Sequence, residues 1–249
     1  MLNFIVPLKS PQASNDWKQV SRLCRRTLRS LYRQTSDQFR VFLVCNQPPE
    51  GMSMHPNLRI VHGDFPIPAA DKQSQIADKA RKVRRGLMAV REVGGGFVMG
   101  VDADDLVHRA LAALVSRHPQ SNGWFIPLGY SHDEGSHWLE RHADFHLRCG
   151  TSNIIRLASA ELPEDLDSLR ERFFILCHGH HAIAKYLAGT GRPLERLPFP
   201  GAIYVKETGE NNSGPNLRHL GVRATLSKLM RTRPLTPVVR AAFGLVPLD

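Results

Sequence analysis

The stretch Phe97–Asp105, FVMGVDADD, constrains the fold of this chain more than any other. Phe97, Val98, Met99 and Val101 make a short apolar run that ends abruptly in three carboxylates, Asp102, Asp104 and Asp105, and Gly94, Gly95 and Gly96 precede it. A run this short, bounded by glycine and acid, reads as a buried strand of a parallel sheet. The carboxylates then lie just past its carboxyl end, where open α/β sheets bind ligands. Asp102 and Asp104 are one residue apart, so both can turn toward one hard cation. Paired aspartate oxygens suit Mg²⁺ or Mn²⁺, which keep positions open for phosphate. Asp104 or Asp105 also stands before LVHRALAALV, and Asp is a favoured helix N-cap. A cap accounts for one acid. It does not account for three close together, which repel unless a cation or donors offset them.

The flanking chain supplies the rest of such a sheet. Residues 2–8 read as a strand stopped by Pro7, which cannot donate in mid-ladder. Asn15 or Asp16 caps a helix running to about Gln34, with Val20, Leu23, Cys24, Leu28 and Leu31 on its apolar face. Its other face, with Lys18, Arg22, Arg25, Arg26, Arg29 and Arg33, reads as solvated. Residues 39–46 and 57–65 are further strands. A helix over 71–92 buries Ile76, Ala80, Val83, Leu87 and Val90, with Asp78, Lys79, Lys82, Arg84 and Arg85 on the remainder. After the aspartates the pattern predicts a helix over 106–116, a strand over 123–130, a short strand over 149–157 and a helix or a pair of short ones over 161–176. Another helix follows His178, His180 and His181 and ends near Gly189; residues 202–205, AIYV, are the last strand expected. The polar loop 207–214 can close over a ligand. This alternation argues an α/β fold with a Rossmann-like, doubly wound, mostly parallel sheet flanked by helices.

Composition narrows the partner. The chain has 249 residues, 42% of them hydrophobic, enough for one large α/β domain or two small ones. A net charge of +10 points to an anionic partner: a nucleotide, a nucleic acid or a membrane surface. The basic residues spread over several elements with no recognisable binding module, which argues against nucleic acid. Cys24, Cys45, Cys149 and Cys177 form no CxxC pair and read as reduced thiols of a cytoplasmic protein. The N-terminus lacks the basic start and apolar length of a signal peptide, and no stretch reaches the roughly 18 apolar residues of a membrane span. No GxGxxG, GxxxxGK[ST], GxSxG or HExxH motif occurs, which leaves dinucleotide, P-loop, α/β-hydrolase and zincin chemistry unsupported.

A strand ending at Pro7, an early helix, FRVFLVCN as the second strand, a basic helix and then VDADD together resemble the nucleotide-binding half of a GT-A fold glycosyltransferase. The likeness is to the large bacterial glycosyltransferase family 2, whose metal-binding DxD element VDADD matches. The resemblance implies a nucleotide-sugar-binding half over residues 1–130, a smaller acceptor-binding half over 131–215 and a basic helical tail over 216–249. It implies that Asp102 and Asp104 contact Mn²⁺ or Mg²⁺, with Asp102 also reaching the donor, a nucleoside-diphosphate sugar. Asp105 is similar to an extra acid often found there. Pro7, Leu8 and Lys9 fall where the family cradles the base, and Lys79, Lys82 and Arg85 where cations approach the nucleotide. Asn46 stands with Cys45 where the family usually has an acid that reads uracil. CHGHHAIAKYL occupies the place of the usual acidic catalytic pair, so His180 or His181 is a candidate base or metal ligand. Asp133 and Glu134 are rival bases. The reaction implied is metal-assisted sugar transfer to a hydroxyl of a glycan or lipid-linked acceptor, as in polysaccharide biosynthesis. The tail, rich in Arg218, Arg223, Lys228, Arg231, Arg233 and Arg240, offers a peripheral hold on anionic membrane. The alternatives are a nucleotidyltransferase that makes a nucleotide sugar, and a non-enzymatic nucleic-acid-binding protein.

Overall fold

In the computed structural model, residues 1–166, 179–206, 208 and 230–246 are described. Strand β1 (Leu2–Pro7) is buried along its whole length. It pairs in parallel with β2 (Phe39–Cys45) on one side and β4 (Gly95–Gly100) on the other. Strand β3 (Leu58–His62) extends the sheet beyond β2, again in parallel. Past β4 lie β9 (Asn153–Ala158), β6 (Gly123–Phe125) and β10 (Glu195–Arg196), giving seven strands in the order β10-β6-β9-β4-β1-β2-β3. Only β9 runs against the rest. The fold is thus α/β with a mostly parallel sheet, and its chain order reverses between β1 and β4. That reversal opens a crevice at the carboxyl ends of these two strands.

Period-two alternation in β1 sends side chains to two cores. Leu2, Phe4 and Val6 pack with Val20, Leu28 and Leu31 of α1 (Trp17–Tyr32) and with Leu111 and Val115 of α3 (Leu111–Arg117). Ile5 packs on the opposite face with Val83, Leu87 and Val90 of α2 (Lys72–Glu92) and with Ile183 of α4 (Ile183–Gly189). Helix α1 is capped by Asp16, which accepts from the Gln19 N–H at 3.0 Å. Helix α2 lies close on the sheet because position 86 is glycine. A Cβ there would sit 2.4 Å from Ile5 Cγ2 and 3.2 Å from Val44 Cγ2. Alanine is the better helix former by about 1 kcal/mol, yet overpacking costs about 1–3 kcal/mol. Gly86→Ala is therefore expected to lower stability, and urea unfolding that shows an unchanged or raised midpoint would refute the close contact.

A second sheet of five strands, in the order β12-β8-β7-β11-β5, covers one end. It comprises β5 (Leu106–Val107), β7 (Gly129–Asp133), β8 (Trp138–His142), β11 (Ala202–Lys206) and β12 (Thr232–Pro234). Its small core holds Leu106, Leu139, Ile203 and Val205 with Phe243 of α5 (Pro237–Phe243) and Leu245.

Several elements differ from the sequence pattern. The run expected as one helix over 106–116 divides: Leu106 and Val107 pair with Ile203 and Ala202 of β11, and helix begins only at Leu111. The strand expected over 123–130 breaks around Pro127 into β6 and β7, which belong to different sheets. Strand β11 is followed by β12. Arg26, expected on a solvated face, is 2% exposed, and Lys82, expected near the nucleotide, is 1% exposed. The larger sheet also draws β9 and β10 from beyond residue 130, so the two halves of the chain share it. Residues 167–178, including Cys177 and His178, most of the 207–214 loop and the tail from 216 to 229 lie outside the described residues. Cys24, Cys45 and Cys149 are buried free thiols. Among the described residues no helix is long and apolar enough to cross a membrane.

Candidate active site

Strand β4 delivers the acidic cluster to the crevice. Beyond Gly100 the chain keeps its register for one residue, with the Val101 N–H donating to Ile5 O at 2.9 Å. Asp102 then donates its N–H to Thr151 Oγ1 at 3.0 Å, and the Asp105 N–H closes a turn onto Asp102 O at 3.0 Å. This turn separates the three carboxylates. Asp105 is fully buried and accepts from Thr151 Oγ1 at 2.6 Å, Cys149 Sγ at 3.0 Å and the Val205 N–H at 3.2 Å. It binds the β4 turn to the loop before β9 and to β11, and burial pushes its carboxyl far above the usual carboxylate range. Neither Asp104 nor Asp105 caps a helix: α3 begins after Ala110 with no side-chain cap.

Asp102 and Asp104 instead line a cavity of about 340 Å³. Asp102 Oδ1 lies 2.5 Å from Lys79 Nζ, its side chain 29% exposed. Opposite it stands Gly150. A Cβ there would be 3.4 Å from Asp102 Oδ2 and 3.5 Å from Lys79 Nζ, so this glycine keeps the carboxylate's second oxygen accessible. Burial and the neighbouring Asp102 charge push the Asp104 carboxyl up to about 7, against the opposing pull of Lys79 and Lys9. A cation beside the two carboxylates would relieve this like-charge repulsion.

The other walls come from β1, α1 and α2. Pro7, Leu8 and Lys9 continue from β1, and Val20 and Leu23 form an apolar side from α1. Helix α2 starts at the rim, its N-cap Asp71 accepting from the Ser74 N–H at 2.8 Å, and contributes Lys72, Gln75, Asp78, Lys79 and Lys82. Lys82 Nζ lies 2.8 Å from Asp78 Oδ2, with the two side chains 1% and 8% exposed. Burial lowers the Lys82 ammonium pKa even against Asp78. Arg148 also lines the cavity and is held by both oxygens of Asp144 at 2.8 and 2.9 Å.

A second cavity of about 260 Å³ shares Pro7, Ile76, Lys79, Asp102, Gly150 and His180 with the first. His180 thus stands at both. Burial first and then Lys79 hold its imidazole below the ordinary histidine range, with Asp102 pulling the other way, so it is neutral at pH 7.

Eight of the residues singled out from sequence meet here: Pro7, Leu8, Lys9, Lys79, Lys82, Asp102, Asp104 and His180. Five do not line either cavity. Glu134 is paired with Arg26 at 2.6 Å. Asn46 Nδ2 donates to Phe65 O at 2.7 Å, bracing the loop beyond β3. Arg85 faces Glu92 at 3.8 Å. Asp133 lies on β7 with Lys206 Nζ at 3.3 Å. His181 is exposed, its ring set edge-on to His180 at 5.5 Å. The sequence reading missed Lys72, Gln75, Arg148, Gly150 and Tyr204. The one signal for Gly150 was the small-residue turn CGTS ahead of β9, a place where backbone approaches closely.

No protein-family model matches this sequence, and no curated protein sequence matches it. Solved structures do show similarity. The S. aureus TarS 1–349 structure aligns over 82% of this chain and 60% of its own, at 14% identity and a TM-score of 0.46. Rv0371c from Mycobacterium tuberculosis, crystallised with manganese, aligns over 82% of this chain and 90% of its own, at 12% identity and a TM-score of 0.36. A Thermus thermophilus structure described as mannose-1-phosphate geranyltransferase gives 14% identity and a TM-score of 0.36, over 82% of this chain and 73% of its own. All three scores are below 0.5, and the functional reading stands on the residues of this chain alone.

Proposed function

We propose that this chain is a GT-A-like glycosyltransferase that moves a sugar from a nucleoside-diphosphate sugar to a hydroxyl of a glycan or lipid-linked acceptor, assisted by Mn²⁺ or Mg²⁺. One observation carries the reading: Asp102 and Asp104 face a cavity with Lys79, Lys9 and Gly150 at the β1–β4 reversal, while Asp105 turns away into the core. The donor set fits a hard divalent cation. Two carboxylates in a strained like-charge pair, with an accessible oxygen beside Gly150, leave further positions to water and phosphate. Among the described residues no third acid, histidine or cysteine joins them in a cluster. When bound, such a cation offsets charge on a leaving diphosphate.

The chain's own groups do the rest. Lys79 and Lys9 add positive charge near the aspartates, where a diphosphate would need it. Pro7, Leu8, Val20 and Leu23 offer an apolar wall for a nucleoside. His180, neutral at pH 7, is able to take a proton from an acceptor hydroxyl at the junction of the two cavities. The site belongs in the cytoplasm, where nucleotide sugars are the donors. The basic tail, of which Arg231, Arg233 and Arg240 are described, would keep the enzyme at the inner face of an anionic membrane.

The test is a melting-temperature screen with nucleoside diphosphates, with and without Mn²⁺, followed by product analysis with the best nucleotide sugar. A ligand bound only by the native state raises the melting temperature. The expected result is a metal-dependent rise and release of free nucleoside diphosphate. Conversion of the nucleotide sugar and added pyrophosphate to nucleoside triphosphate and sugar 1-phosphate would instead identify nucleotidyl transfer, and no response to any nucleotide would overturn the reading.

A further inference from the structure

The Asp78–Lys82 pair of α2 is not explained by the stability of the fold. Both side chains are more than nine-tenths buried, and they meet at 2.8 Å through Asp78 Oδ2 alone. Asp78 Oδ1 has no hydrogen-bond partner among the described residues. Removing two charges from water is costly, and an incompletely satisfied buried pair does not recover that cost. Bonding within one helix turn adds little, since i,i+4 pairs contribute about 0.2–0.5 kcal/mol. The pair nonetheless lines the same cavity as the apolar Leu8, Val20 and Leu23. Lys82 Nζ also lies 5.5 Å from the centre of the Phe65 ring, which limits where its remaining N–H groups can point.

We propose that Asp78 and Lys82 read the lactam edge of the nucleobase, the N–H of uracil, thymine or guanine bonding to Asp78 Oδ1 and the adjacent carbonyl oxygen to Lys82. This rests on the reading of the cavity as a nucleotide-sugar site and specifies its base. The chemistry matches group for group. A lactam edge places an acidic N–H beside a carbonyl oxygen, and the pair offers one unused carboxylate oxygen beside an ammonium with spare donors. Charge-assisted bonds of this kind are about twice as strong as neutral ones. Cytosine and adenine present a weaker amine donor beside a ring nitrogen with a single lone pair. The assignment also divides the cavity by role: Asp102 and Asp104 with Lys79 serve the diphosphate, while Asp78 and Lys82 serve the base.

The experiment is calorimetric binding, in Mn²⁺, of UDP and GDP against their N3-methyl and N1-methyl counterparts, which lack the lactam proton. The better-bound of UDP and GDP is expected to exceed its methylated form by about tenfold or more, the cost of leaving a charged acceptor unpaired. An Asp78→Leu/Lys82→Met variant should melt at or above the wild-type temperature, because apolar replacement of a buried pair is neutral or stabilising. It should bind the parent and methylated nucleotides equally. Equal binding in the wild type, tighter binding of CDP or ADP, or discrimination that survives in the double variant would each overturn the assignment. Pyrophosphate binding as tightly as UDP and GDP would also overturn it while leaving the transferase reading in place. Failure of every nucleotide and of pyrophosphate would remove the transferase reading itself.

Discussion

Asp104→Asn is expected to cut nucleotide-sugar turnover by at least about 10²-fold while making the ligand-free protein more stable at neutral pH. On the proposed function, the rate loss follows from removing one of the two carboxylates that would hold a cation at the diphosphate, since single electrostatic contacts of this type contribute about 10²–10³ in rate. The stability gain follows from the pKa. An ordinary aspartate in an unfolded chain titrates near about 3.9, whereas burial and Asp102 push Asp104 up to about 7 in the fold. Below about pH 4 both states hold the proton and stability is at its full value. As pH rises the unfolded chain releases its proton first, so stability falls until the folded carboxyl also ionises near about 7. Asparagine keeps the shape and removes that dependence. The difference in melting temperature between variant and wild type should therefore open between about pH 4 and pH 7 and then level off. Mn²⁺ should close it by stabilising the wild type alone. A constant difference across this range, or unimpaired turnover in the variant, would show that the two carboxylates do not share a cation site.

The first half of the fold was legible because its signals are local. Strands β1, β2 and β4 are buried on both faces and read as apolar runs interrupted only by Asn3 and Arg40, and α1 and α2 repeat their apolar residues at helical spacing. Their ends fall close to those expected, with α2 over Lys72–Glu92 against 71–92. The second sheet was not legible. Leu106 and Val107 are strand only because β11, nearly a hundred residues on, pairs with them, and no local pattern carries that information. The same limit governs the site. Asp102 and Asp104 announced themselves by adjacency, but the separate fate of Asp105 depends on Thr151, Cys149 and Val205. Gly150 matters because it faces Asp102, which only the folded chain brings about. Charged faces were the weakest reading. A run of arginines on a helix looks solvated unless the distant partner of one of them is known.

Arg26 is that case, and Glu134→Ala is expected to lower the melting temperature by about 10 °C. The Arg26 guanidinium is 2% exposed on α1 and gives two bonds to Glu134, at 2.9 and 2.6 Å, across 108 residues of sequence. Its Nε already lacks a partner among the described residues. Without Glu134 the cation stays buried with nothing to offset it, a loss of about 3–5 kcal/mol for a broken buried pair. Glu134 itself is 21% exposed, so water recovers part of that and the lower end applies. For a chain of this length each kcal/mol corresponds to about 2–4 °C. Arg26→Met/Glu134→Leu should recover most of the fall, because no isolated charge remains. The position of the pair gives the loss a functional reach. Arg26 lies one helical turn from Leu23 and two from Val20, which wall the proposed donor cavity, and Glu134 directly follows β7, where its N–H donates to Lys206 O at 3.1 Å. The bridge therefore holds the α1 wall against the second sheet. Glu134→Ala should weaken nucleotide binding at temperatures well below its melting point, and the apolar double variant should restore it. A single variant that melts within about 2 °C of wild type would mean that the guanidinium reaches water once its partner is gone, and that α1 is free to move.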